Sequence, residues 1–135
     1  MIKAIIDTNV LVSALSSRSI YHWLIQDLLD EKYELFVTDE IMLEYEEVLT
    51  LKYSASVAGN FLIALKELPN VHFVHVYFRW NLIGDEDDNK FVDCYVAAGA
   101  HCLVTHDAHF GVLKSLSFPK INVLKIDGFQ KAVSE

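Results

Sequence analysis

The run that most constrains the 135-residue chain is Ile2-Lys3-Ala4-Ile5-Ile6-Asp7. A nearly continuous apolar run rich in β-branched residues reads as a strand buried on both faces, because a half-exposed strand alternates with polar residues. Strands of that kind belong to parallel sheets covered by helices. The run stops on Asp7, and open α/β sheets hold their ligands in the crevice above the carboxyl ends of the strands. Asp7 also stands where it could cap a following helix, but capping alone leaves its place after a buried strand unexplained.

Strand and helix patterns then alternate along the chain. A short helix and a Ser-rich loop follow Asp7, and Ile20, Trp23, Leu24 and Leu28 recur at helical spacing over residues 20–29. Residues 33–38 form a second strand. Asp39 is the expected cap of a helix beginning at Glu40 that places Glu44 among Ile41, Leu43, Tyr45, Val48 and Leu49. A helix over 54–68, capped at Ser54 or Ser56, is stopped by Pro69-Asn70, and residues 71–76 alternate as a third strand. A loop over 79–84 leads into Asp85-Glu86-Asp87-Asp88 and a helix over 88–98. Its acidic first turn suits the positive end of the helix dipole, and Gly99 closes it. Residues 101–105 form a fourth strand, 108–116 a short helix, 121–126 a fifth strand, and Asp127 opens a last helix. The expected fold is α/β: one domain over 1–135, with a five-stranded parallel sheet flanked by helices, the first strand central and a connection switch beside it.

Composition narrows the class. Apolar residues make up 53% and charged residues 22%, which excludes disorder as a global description. No apolar stretch approaches the roughly 20 residues of a membrane span and no export signal is apparent, so a soluble, cytoplasmic protein is expected. Cys94 and Cys102, the only cysteines, read as buried thiols rather than a disulfide or metal knuckle. The net charge of −8 argues against a broad electrostatic grip on a nucleic-acid backbone. It leaves a nucleic-acid substrate open, since a cation held by carboxylates offsets charge locally and meets a phosphate.

If the first and fourth strands flank the switch, Asp7 and Asp107 rise from one crevice. Glu44, on the helix after the second strand, and Asp88, at the start of the helix before the fourth, then face the same place. Carboxylates without a His or Cys partner are the donors expected for Mg2+ or Mn2+. Such an ion activates water and stabilises charge on a phosphodiester. Each acid also has a plainer reading: Glu44 as a solvated helix residue, 85–88 as dipole-compensating charge, Asp107 as a helix cap. His106 and His109 read as surface histidines, and Trp23, Trp80, Tyr21 and the phenylalanines as core or interface rather than base-stacking platforms.

In order and spacing, several motifs resemble the PIN-domain ribonucleases, in particular the VapC-like branch assigned as toxins of toxin-antitoxin systems. They are Ile6-Asp7-Thr8-Asn9-Val10-Leu11, Asp39-Glu40-Ile41 with Glu44-Tyr45, Asp85-Glu86-Asp87-Asp88-Asn89-Lys90-Phe91, Ala97-Ala98-Gly99-Ala100, Leu103-Val104-Thr105-His106-Asp107 and Ile126-Asp127-Gly128-Phe129. The resemblance covers nearly the whole chain. It implies a metal-dependent endoribonuclease using Mg2+ or Mn2+, with Asp7, Glu44, Asp88 and Asp107 as the acidic quartet, the metal held mainly by Asp7 and Asp107. Asp93 is carried as an accessory acid. Asn9 and Thr105 match positions that orient Asp7 or bound water. Arg18, Arg79, Lys90 and Lys114 are the candidates for gripping RNA. The resemblance further implies an antitoxin partner and a homodimer, with the helices near Trp23 or Leu62 as contact surfaces.

Three competing readings are weaker on particular residues. An aspartyl phosphatase wants a second Asp where Asn9 stands. A signalling receiver domain, which also holds Mg2+, wants paired acids after strand one and a Lys after strand five. A non-catalytic interaction module does not need acids at all four positions.

Overall fold

The computed structural model describes residues 1–135. Five strands form one sheet: β1 (Lys3–Ile6), β2 (Glu34–Val37), β3 (Val71–Phe73), β4 (Cys102–Val104) and β5 (Val123–Leu124). All pairings are parallel and the order is β3-β2-β1-β4-β5. From β1 the chain steps outward to β2 and β3, then returns across to β4 and β5. The switch therefore lies between β1 and β4, where Ile6 pairs with Val104. Ligand crevices open at such a point.

Six α-helices cover the sheet: α1 (Thr8–Ala14), α2 (Trp23–Leu29), α3 (Asp39–Lys52), α4 (Ala55–Glu67), α5 (Glu86–Ala98) and α6 (Ile126–Ser134). A 3-10 helix spans Ala108–Ser115. The core follows from the sequence pattern: Ala4, Ile5 and Ile6 of β1, Leu35 and Val37 of β2 and all of β4 are buried, with Phe91 and Val92 of α5 and Ile41 and Tyr45 of α3 packed over them.

The element ends differ from expectation for local reasons. Thr38, not Asp39, caps α3, its hydroxyl accepting from Ile41 N at 3.2 Å. Ser54 caps α4 in the same way. Helix α5 starts two residues earlier than expected because Asp85 accepts from Asp87 N at 3.0 Å. Gly99 ends it at φ 61°, a left-handed backbone that glycine adopts without strain. Strand β3 stops at Phe73 rather than at 76: after Val74 N donates to Val37 O, the neighbouring strand β2 has ended and offers no further ladder. The chain from 74 to 84 is then irregular; it carries the rings of His75, Tyr77, Phe78 and Trp80, and the Trp80 N–H donates to Asp93 of α5.

Both cysteines are buried, and burial pushes each thiol up to about 12, as expected for inert core residues. No helix is long and apolar enough to cross a membrane. Leu62 itself lies in the core, while the same helix exposes Val57 and Ile63.

Candidate active site

Pairing of β1 with β4 sets Asp7 and Thr105 side by side. The Asp7 N–H donates to Val104 O at 2.9 Å, and the Thr105 hydroxyl donates to Asp7 Oδ2 at 2.7 Å. Although Asp7 occupies the N-cap position of α1, its carboxylate makes no capping bond there. The same Thr105 oxygen accepts from Asp107 N at 3.0 Å, so one buried hydroxyl ties the two acids together. Asp107 is also the cap of the 3-10 helix, accepting from His109 N at 2.9 Å; the capping and the cleft positions coincide.

Glu44 reaches the same place from α3. Tyr45, fully buried, donates its hydroxyl to Ile6 O at 2.5 Å and pins this helix to the end of β1. Glu44 Oε2 then accepts from the Thr8 hydroxyl, and Glu44 Oε1 lies 2.7 Å from Lys90 Nζ. The Lys90 ammonium is nearly buried. Asp88, two residues earlier on α5, completes the group. Asp7, Asn9, Glu44, Asp88, Lys90 and Asp107 all line one open cleft of about 380 Å³ at the carboxyl end of the sheet, with Glu40, Glu47 and Asp87 at its edge.

The electrostatics show the strain of gathering these charges. Asp88 is pushed up to about 6, chiefly by burial and then by the charges of Asp107, Asp85 and Asp7, with His109 opposing. Burial also raises Asp7, offset by the Thr105 hydroxyl and reinforced by Glu44 and Asp107. Asp88 Oδ2 is buried with no hydrogen-bond partner. An unpartnered buried acceptor among like charges is a group that a bound cation would satisfy. The donors fit a hard divalent ion, since all four cleft acids offer oxygen.

Other sequence candidates fall elsewhere. Asp93 is buried but turned away from the cleft. Its Oδ1 accepts from Trp80 N at 3.0 Å, and it lines a neighbouring groove with Thr38, His75 and Arg79. Its carboxyl is raised by burial and lowered by the Trp80 N–H and by Arg79. Of the four basic candidates, Lys90 lies in the cleft and Arg79 at its border, where it pairs with Glu40 at 3.1 Å. Arg18 is exposed outside the cleft, and Lys114 lies beside Tyr95 and Lys120.

His109 was not placed at the site by sequence reasoning. Its Nδ1 is 3.3 Å from Asp107 Oδ1 and 3.8 Å from Asp88 Oδ2, and ligand atoms of Asp85, Asp88 and His109 converge within 4.8 Å. The available signal was its position two residues after Asp107, where an Asp-capped turn folds a side chain back. His106, by contrast, accepts from Ile126 N at 3.2 Å and meets the Tyr21 ring edge-on.

A family model described as PIN domain matches residues 3–109. No curated protein matches the sequence. Among solved structures, VapBC2 from Rickettsia felis, determined bound to a DNA fragment from their promoter, superposes with a TM-score of 0.62 at 14% identity, covering 92% of this chain and 98% of that one. The PIN domain of human SMG5 gives 0.52 at 12% identity, covering 96% of this chain and 98% of its own. The RRP44 PIN domain of T. brucei gives 0.50 at 13% identity, covering 98% and 81%. At such identities the likeness is one of fold. Because the family model spans most of the chain and the five-stranded parallel architecture agrees with it, the chain belongs to the PIN domain family.

Proposed function

We propose that the protein is a metal-dependent endoribonuclease, with Asp7, Glu44, Asp88 and Asp107 forming its catalytic centre and Mg2+ or Mn2+ as its cofactor. PIN domains are generally nucleases, which supports phosphodiester hydrolysis as the reaction class. The observation that carries the reading is the orphaned Asp88 Oδ2, buried within a cleft that three further acids line.

A divalent ion in such a site supplies a nucleophile from bound water and neutralises charge on the phosphate. The side chains divide the remaining work. Asp7 and Asp107 would hold the ion, with Thr105 fixing both in place. Asp88, titrating near 6, would add its orphaned oxygen once deprotonated. Both Glu44 oxygens are already engaged, by Thr8 and Lys90, so Glu44 suits the task of orienting water rather than binding the ion directly. Lys90 offsets the charge of Glu44 and faces the cleft where a phosphate would enter. Asn9, also lining the cleft, is placed to orient a bound water.

We further propose a toxin role with an antitoxin protein as partner, which the fold likeness to VapBC2 supports, and a homodimeric assembly. Incubating a mixed RNA pool and a matched DNA pool with the protein, with Mn2+, Mg2+ or EDTA, tests the nuclease reading. Cleavage of RNA that EDTA abolishes supports it; an inert protein in both metals, or cleavage confined to DNA, overturns it.

A further inference from the structure

The chain segregates its charge. Residues 68–84 and 108–126 contain none of the 19 acidic residues, yet they hold Arg79, Lys114, Lys120 and Lys125. These two acid-free stretches also carry the most exposed aromatic rings. Tyr77 is 93% exposed, Phe78 63% and Phe118 76%. The stretches meet at a half-buried tryptophan: Trp80 packs edge-on against Phe78 at 4.8 Å and against Phe118 at 5.7 Å between ring centroids. Solvent-facing aromatic rings interleaved with cations, in a protein otherwise strongly acidic, make a surface complementary to a flexible polyanion with flat apolar faces.

We propose that Tyr77, Phe78 and Phe118 form a stacking ledge for unpaired RNA bases, with Arg79 and Lys120 meeting the adjacent phosphates. The inference rests on the ribonuclease reading for the identity of the nucleic acid. Two features tie the ledge to the acidic cleft. The Trp80 N–H donates to Asp93 at 3.0 Å, which anchors the ledge to α5, the helix that carries Asp88 and Lys90. Arg79 joins Glu40, a residue at the edge of the cleft. Stacking also supplies what the charge balance lacks: base–aromatic contact holds a strand without a dense array of phosphate-binding cations. Asp93 is thereby a positioning residue for substrate, which explains a buried carboxylate facing away from the catalytic acids.

The test is binding of a fluorescently labelled, mixed-sequence single-stranded RNA of 15 nucleotides, in EDTA so that nothing is cut, to the full chain and to Tyr77→Ala, Phe118→Ala, Tyr77→Phe and Phe118→Tyr. Both positions of change are exposed, and circular dichroism checks that the fold is kept. The expected result is roughly tenfold or greater weakening for each alanine variant, near-parental binding for the two aromatic replacements, and weaker binding of the same sequence as a duplex. Unchanged affinity in the alanine variants overturns the ledge. Unchanged RNA affinity together with a lower mass by light scattering shows instead that a second copy covers the surface, which also overturns it. The two readings fail separately: cleavage by the parent without dependence on the ledge leaves the nuclease standing alone, whereas ledge-dependent binding without cleavage in any metal leaves the ledge and removes the nuclease.

Discussion

Thr105 donates its hydroxyl to Asp7 at 2.7 Å from the end of the neighbouring strand, and so holds a buried carboxylate in one orientation at the switch point of the sheet. Replacing it with valine keeps the shape and removes the bond. Cleavage by Thr105→Val is expected to fall about 10–100-fold, the usual effect of losing a partner that orients a ligand. Because the bond lowers the Asp7 pKa, its loss also moves the acid limb of the pH–rate profile to higher pH. A profile with unchanged shape and rate contradicts this role.

Asp88 makes the metal-free protein sensitive to pH. Its carboxyl titrates at about 6 in the folded chain, against about 3.9 for an unperturbed Asp. Between those values the folded chain binds a proton that the unfolded chain does not, so the Asp88 contribution to stability is most favourable below about pH 4 and is lost as pH rises through 6. Asp88→Asn abolishes this loss. It should be more stable than the parent by about 1 kcal/mol at pH 8, after the shift is discounted for solvent screening, with the difference closing at pH 4. Denaturant titration at the two pH values measures it.

Divalent metal should reverse the same strain. At an ion concentration about 100 times its dissociation constant, the stabilisation is about 2.7 kcal/mol. The effect should be larger at pH 7.5 than at pH 5.5, because Asp88 must release its proton to bind the ion. A melting temperature indifferent to Mn2+ at pH 7.5 contradicts the assignment of the cleft as a metal site.

Tyr45 binds the helix of Glu44 to the strand of Asp7 through one buried bond, hydroxyl to Ile6 O at 2.5 Å. Tyr45→Phe removes the bond without opening a cavity, and should cost about 1–2 kcal/mol of stability. A cost near zero means that packing alone registers the helix.

The fold was legible because its signals are local. The apolar run to Asp7, the acidic first turn of α5 and the Gly99 cap each follow from backbone sterics and burial within a few residues. The gathering of Asp7, Glu44, Asp88 and Asp107 was legible for a different reason: a parallel sheet with a switch beside its first strand sends all strand ends to one crevice. What sequence did not reveal depends on side-chain partners across long separations. Lys90 against Glu44 and Thr8 against Glu44 arise only once α5 and α3 are packed. The face taken by Asp93 is set by Trp80 N in an irregular segment with no periodicity to read. The exposure of Phe78 and Phe118, expected to be core or interface, likewise follows from β3 ending early and from loop paths that hydrophobicity does not encode.

The most direct measurement is metal-dependent RNA cleavage by the parent beside Asp7→Asn, a change that keeps the size of the side chain while removing its charge. Cleavage by the parent in Mn2+ or Mg2+ is expected, with none in EDTA and a loss of at least about 100-fold in the variant, given that a missing catalytic interaction of about 2.7 kcal/mol corresponds to that factor. An Asp7→Asn protein that cuts RNA at the parental rate contradicts the acidic cleft as the catalytic centre.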